Sequence, residues 1–344
     1  MEFPKTVIAA QLLSPPSFER DTHLIEYRED PLTGMLCRIN TRRTKRIRKA
    51  PVTDLSEIMA ESGDCPFCPQ NIEQATPLFT EDFCPGGRIR WGECYLFPNL
   101  FPLAEYHATG TLTSRHFLDL DQFQVEMVID SMRATKEYLL WVQRHNREVR
   151  YPIYLWNHLP PSAASILHPH VQILVDRKPT SYQQGLLQSS RDYFLKKGSN
   201  FWEDLVEEEK KRGERYIGGK GSVAVIASYA PQGNREVQII FREISNLAEL
   251  SEPEIIDFAD CVIRLLYGYK QMGINSFNLS TFSAPLGERL DHYSLHAKLI
   301  SRPVLQPFYR NDTGILERLH YEADIEIEPE VVAKELKALF EGDF

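Results

Sequence analysis

Polar and apolar residues alternate along residues 151–159 (YPIYLWNHL) and again along 170–176 (HVQILVD). A period of two belongs to a strand whose faces differ, so both segments are predicted as strands, with PPSAAS as the turn between them. In DLDQFQVEMVIDSMRATKEYLLWVQRH (119–145) the apolar positions instead recur at three and four, the period of a helix. SEPEIIDFADCVIRLLYGYKQMG (251–273) repeats that pattern and opens on Ser251 with Glu254 three residues behind it, a capping box. GSVAVIASYA, REVQIIFRE, FNLSTFSAP and HYSLHAKLISRP read as further strands, and the polar run 192–217 as a mostly exposed helix. Residues 1–64 read as a short arm, a hairpin-like segment at DPLTG and a basic stretch. Residues 65–101, rich in Cys, Pro and Gly, read as loops and turns.

The order strand, strand, helix, strand, loop, strand occurs twice, ending first in HPHVQILV and then in HYSLHAKLI. This predicts an α+β fold made by duplication of one unit, with antiparallel sheets covered by helices. The N-terminal unit is expected at 1–185 and the C-terminal unit at 186–344.

A chain of 344 residues with 42% hydrophobic and 25% charged positions has the make-up of a folded globular protein. Its net charge of -9 argues against a general nucleic-acid or membrane coat; the basic stretch RRTKRIRK (42–49) is a local exception that also reads as a solvated loop. No run approaches the length of a membrane span and the N-terminus lacks a signal-peptide pattern, so a cytoplasmic location is expected by elimination. Of the six cysteines, Cys65 and Cys68 form CPFC, with Cys84 and Cys94 nearby; such clustering suits a metal site better than a disulfide framework.

Two thiolates separated by two residues can hold zinc, although a redox pair has the same spacing and a site without metal is also open. Two completions compete: Cys84 with Cys94, or His116 with His168. In ILHPHVQILV the strand period puts His168, His170 and Gln172 in one row, which reads either as satisfied polar residues at a strand end or as chemistry. A neutral imidazole at His170 is suited to attack on phosphorus. Gln172 and Ser165 can donate to phosphoryl oxygens, and Arg43 and Arg46 can neutralise the rest. His292, His296 and Lys298 are expected to form a similar row in the second unit, either as ordinary strand residues or as a degenerate site contacting substrate. No P-loop, GxSxG, HExxH or dinucleotide fingerprint is present.

Over nearly its whole length the chain resembles the galactose-1-phosphate uridylyltransferase family of the histidine-triad superfamily. DPLTG with RRTKR, CPFCPQN, and WNHLPPSAASILHPHVQ, with Asn157 eleven residues before His168, carry the resemblance. It implies a structural zinc on Cys65, Cys68, His116 and His168, and His170 as the nucleophile that forms a covalent nucleotidyl intermediate. Asn157, Ser165 and Gln172 would surround the transferred phosphate, and Arg43 and Arg46 would reach a nucleotide site, that of a partner subunit in a homodimer included. HYSLHAKL resembles the family's second-half segment, but Thr281 and Lys298 stand where the family's second metal site uses histidines. No second metal is therefore expected, and His296 and Lys298 are expected to contact substrate.

The uridylyltransferases proper carry Gly-Cys-Ser-Asn-Pro where this chain has Ala163, Ala164, Ser165, Ile166 and Leu167, and a glycine where it has Val171. The function implied is uridylyl transfer between hexose 1-phosphates, with a nucleotide sugar and a sugar 1-phosphate as partners. Phosphorolysis of an ADP-sugar or dinucleoside polyphosphate by orthophosphate, through the same histidine, is the alternative. A zinc-stabilised nucleotide-binding protein with reduced catalysis is the second alternative.

Overall fold

The computed structural model describes residues 1–45, 63–306 and 311–342. Alternation produces the central strands as expected: along Tyr151–His158 every second residue is buried. The strands are β1 (Lys5–Ser14), β2 (Glu19–Glu29), β3 (Leu36–Ile39), β4 (Ile89–Trp91), β5 (Cys94–Pro98), β6 (Tyr106–Thr111), β7 (Tyr151–His158) and β8 (His170–Asp176), then β9 (Tyr216–Lys220), β10 (Val223–Ala227), β11 (Val237–Phe241), β12 (Phe277–Phe282), β13 (His296–Ser301) and β14 (Ala323–Ile325). The helices of nine residues or more are α1 (Val125–His145), α2 (Ser181–Lys197), α3 (Phe201–Arg212), α4 (Glu252–Gln271) and α5 (Pro329–Lys337). Among the described residues no helix is long and apolar enough to cross a membrane.

One ten-stranded antiparallel sheet runs β4-β5-β6-β8-β7-β12-β13-β11-β10-β9. Its two halves have the same order of elements: a three-stranded meander, a long helix, and a hairpin. The halves meet where β7 pairs with β12, and there Leu155 stands opposite Ser280. Leu155 also faces Gln172, and Ser280 faces Lys298. A pseudo-twofold axis normal to the sheet at that pair therefore carries Gln172 onto Lys298 and His170 onto His296, and keeps them on one face.

The opposite face holds the main core. Val171, Ile173, Trp156, Leu279, Ala297 and Leu299 pack there under α1 and α4, whose apolar stripes supply Met132, Leu139, Phe258 and Leu265. On the His170 face, α2 and α3 cover the second half with Leu186, Phe201, Trp202 and Leu205. Over the first half that face is met instead by the CPFC turn, where Phe67 packs on Phe97.

Four expectations are corrected. Residues 65–101, expected as loops and turns, also hold the strands β4 and β5. The polar run 192–217 is two helices, because left-handed Gly198 ends α2 and the Asn200 side chain caps α3; Phe201, Trp202, Leu205 and Val206 of α3 are buried. β13 begins only at His296, so His292 lies in the preceding loop and not in its row. The arm at the N-terminus is a long hairpin, β1 on β2, which joins β3 and β14 in a separate four-stranded sheet. At DPLTG the Asp30 carboxylate accepts from the backbone N–H groups of Leu32 and Thr33, and the turn joins β2 to β3.

Candidate functional site

The CPFC turn is closed by the Cys68 N–H donating to the Cys65 carbonyl (3.3 Å). Asn71 Nδ2 donates to the carbonyls of Cys65 and Gly63, at 2.9 Å each. His116 arrives on the loop after β6, and His168 two residues before β8. The four ligand atoms lie within 4.8 Å of one another. Cys68 Sγ stands 3.4 Å from His116 Nδ1 and 3.6 Å from His168 Nδ1, and Cys65 Sγ stands 3.9 Å from His168 Nδ1. Tetrahedral ligands on zinc, at about 2.3 Å for sulfur and 2.0 Å for nitrogen, are roughly 3.5 Å apart, so these residues fit the ion.

The donors are also prepared electrostatically. His168 Nε2–H donates to the Thr113 carbonyl (2.8 Å), which fixes the tautomer and leaves the Nδ1 lone pair toward the cluster. Glu93 holds that loop by accepting from Thr113 Oγ1 (2.9 Å) and the Ser114 N–H (2.7 Å). Burial pushes His168 down to about 4 and lowers His116, so both rings are neutral ligands. Burial, then Cys65, pushes the Cys68 thiol up to about 12, a proton that a bound cation displaces. The all-cysteine completion is not built: Cys84 and Cys94 are buried in the core beside α1.

His170 opens β8 and is 6% exposed. Its Nδ1–H donates to the His168 carbonyl (2.8 Å), so the Nε2 lone pair is left without a hydrogen-bond partner among the described residues. Burial pushes its pKa below the ordinary histidine range against the pull of that carbonyl, and the ring is neutral near pH 7. The Phe67 ring lies edge-on at 5.3 Å, which couples the metal turn to this imidazole.

Two amides stand on the same face. Gln172 is two residues along β8, and its Oε1 lies 2.9 Å from His107 Nε2. Asn157, on β7, is one position beyond the Trp156–Val171 pair and so stands beside His170. Its Oδ1 accepts from Asn278 Nδ2 (2.6 Å). The orientation of Asn278 is fixed independently, since its Nδ2 also donates to the Ser162 carbonyl (2.9 Å) and its Oδ1 accepts from Arg302 Nη1 (2.9 Å). Ser165 is exposed on the loop before His168. That loop contains two non-glycine residues at positive φ, Leu159 (68°) and Ala163 (70°).

The second-half row has a different environment. His296 repeats the His170 hydrogen bond, its Nδ1–H donating to the Ser294 carbonyl (3.0 Å). Its ring, however, is stacked between Trp202 (3.9 Å) and Phe282 (5.1 Å) and is fully buried, which pushes its pKa down to about 3. Lys298 Nζ lies 3.0 Å from Glu236 and 3.1 Å from the Tyr182 hydroxyl. Burial opposes its charge, but Glu236, then Tyr182 and Asp30, outweigh burial and hold the ammonium above the ordinary lysine range. The strands of His170 and His296 are three steps apart, about 14 Å.

Arg43 pairs with Asp324 and, with Arg302, lines a cavity of about 640 Å³. Arg302 leads from that cavity through Asn278 to Asn157. Arg46 lies outside the described residues.

No family model matches the chain. An uncharacterized protein of Archaeoglobus fulgidus is 30% identical over 342 residues, which is 99% of each chain. The chain belongs to that protein's family. Among solved structures it is similar to an ADP-glucose phosphorylase from Arabidopsis thaliana with bound ADP-glucose, with a TM-score of 0.72 at 18% identity over 91% of this chain and 98% of that one. A uridylyltransferase gives a TM-score of 0.69 at 20% identity over 92% and 98% of the two chains. At these identities the likeness is one of fold: the chain shares its α+β architecture with that ADP-glucose phosphorylase and that uridylyltransferase.

His107, Asn278 and Phe67 were not singled out from the sequence. His107 does alternate with Thr109 and Thr111 in YHATGT, a polar row on β6 with the period of a strand. Asn278 and Phe67 acquire their roles through partners more than 100 residues away.

Proposed function

We propose that the protein is a nucleotidyltransferase that moves a nucleoside monophosphate from a nucleotide sugar to a phosphate acceptor through His170. The observation that carries this reading is the state of His170. It is a neutral imidazole with Nδ1–H tied to a carbonyl and Nε2 without a hydrogen-bond partner among the described residues, and it is flanked by two amides whose oxygens are already engaged. Nε2 attacks the α-phosphorus, the bond to the sugar 1-phosphate oxygen breaks, and the sugar 1-phosphate leaves with the electron pair. The nucleotidyl-imidazolium that remains is stabilised at Nδ1–H by the His168 carbonyl. Gln172 and Asn157 donate to the nonbridging oxygens as their charge grows. An oxygen of the acceptor phosphate then attacks the same phosphorus and returns the electron pair to Nε2.

Zinc on Cys65, Cys68, His116 and His168 would fix the start of β8; four protein ligands leave it no open position. The donor we favour is a UDP-hexose and the acceptor a hexose 1-phosphate, with a homodimer as the working form. Label exchange tests this. Radiolabelled glucose 1-phosphate or galactose 1-phosphate should enter UDP-hexose in the presence of the protein, and not with His170→Ala. Release of nucleoside diphosphate from ADP-glucose by orthophosphate, without such exchange, would replace uridylyl transfer by phosphorolysis.

A further inference from the structure

A glutamine amide is ambiguous in function: turned one way it donates to a phosphoryl oxygen, turned the other it presents an oxygen to another oxygen and repels it. The structure contains the group that decides. His107 Nδ1 lies 3.0 Å from the backbone N of Leu103, and a backbone N–H can only donate. Nδ1 must therefore be the bare nitrogen, and the proton of this ring sits on Nε2. Burial pushes the His107 pKa below the ordinary range, so a second proton is absent near pH 7. Nε2–H then faces Gln172 across 2.9 Å and requires an acceptor there. The amide must present Oε1 to His107, which leaves its NH2 for the face shared with His170. The opposite orientation would set two donors against each other in a buried place, since His107 is 5% exposed.

We propose that His107 is a positioning residue: it relays the polarity of the Leu103 N–H through its ring and locks Gln172 as a donor to the phosphoryl group transferred by His170. The proposal deepens the transfer reading and rests on it for the identity of the bound group. The Leu103 end gives the device a mechanical aspect. Leu103 belongs to the loop between β5 and β6, whose Leu100, Phe101 and Leu103 side chains are strongly exposed. Asn99 ties the loop down by accepting from the Phe101 N–H (2.9 Å) and donating to Thr109 (3.0 Å).

The test compares His107→Gln with His107→Glu, two side chains of equal length. Glutamine can keep both a donor to Gln172 and an acceptor for Leu103, whereas glutamate offers acceptors only and draws the NH2 of Gln172 to itself. The first readout is the Gln172 side-chain amide signal in 15N-labelled protein, assigned with Gln172→Glu and titrated with UMP and with AMP at pH 8. The second is the rate of nucleotidyl-His170 formation, with zinc content and Tm as controls. The amide should respond to a nucleotide in wild type and His107→Gln but not in His107→Glu, and adduct formation should fall on the order of 100-fold in His107→Glu alone. Equal responses in the two variants, or no response in wild type, overturn the proposal. A wild-type amide that responds in protein forming no adduct sustains the positioning role and overturns the transfer reading instead. If His107→Glu fails to fold, His107→Leu, which removes the donor without adding an acceptor, takes its place under the same criteria.

Discussion

At the scale of single residues, the site is defined by which atom of each side chain is already occupied. Backbone carbonyls claim Nδ1–H of His170 and Nε2–H of His168, and side-chain donors claim the oxygens of Gln172 and Asn157. What remains unclaimed among the described residues is a lone pair at His170 and amide hydrogens around it. Nearby backbone strain marks the same place: Ala163 holds a left-handed conformation at φ 70°, which disfavours any side chain with a Cβ. Ala163→Gly should therefore stabilise the protein by about 1 kcal/mol, read as a higher urea midpoint at unchanged slope. The row His168, His170, Gln172 was legible because a strand repeats every two residues. The groups that orient it were not, because a hydrogen bond between β6 and β8, or between β7 and β12, leaves no periodic trace in the chain.

At the scale of elements, a turn and a strand are held by one cluster. The CPFC turn shares its four ligands with the loop after β6 and the approach to β8, and it carries Phe67 against the nucleophile. Removal of the metal by a chelator should thus lower Tm on the order of 10 °C, and the near-ultraviolet signal of Phe67 and its neighbours should change with it. Cys68→Ser should do the same without chelator, whereas Cys84→Ser should leave zinc content unchanged. The CxxC spacing admitted a metal turn, a redox pair or a site without metal, and the choice between cysteine and histidine completion needed the fold, since it depends on which distant loop arrives. The helix breaks were local and could be read: Gly198 and Asn200 sit inside the polar run as a C-terminal stop and an N-terminal cap. Charge on the outer face of α3 hid its buried face of Phe201, Trp202, Leu205 and Val206.

At the scale of the whole molecule, one sheet carries two pseudo-equivalent positions and gives them different environments. Duplicated order was visible in the sequence as two rounds of strands and helix, because each round has its own periodicities. The difference between the rounds was not visible, because it comes from α2 and α3 packing on one half of the face only. Trp202 stacks on His296 at 3.9 Å and Lys298 is neutralised by Glu236, so the second position is filled by protein; the first leaves a lone pair available at His170. The measurement that tests this account most directly is the intact mass of zinc-replete protein after separate incubation with UDP-glucose, UDP-galactose and ADP-glucose, beside His170→Ala and His296→Ala. The account predicts an acid-labile nucleotidyl adduct on wild type and His296→Ala, absent from His170→Ala, with a mass that names the base. An adduct that survives in His170→Ala, or no adduct from any donor on folded wild-type protein, would contradict it.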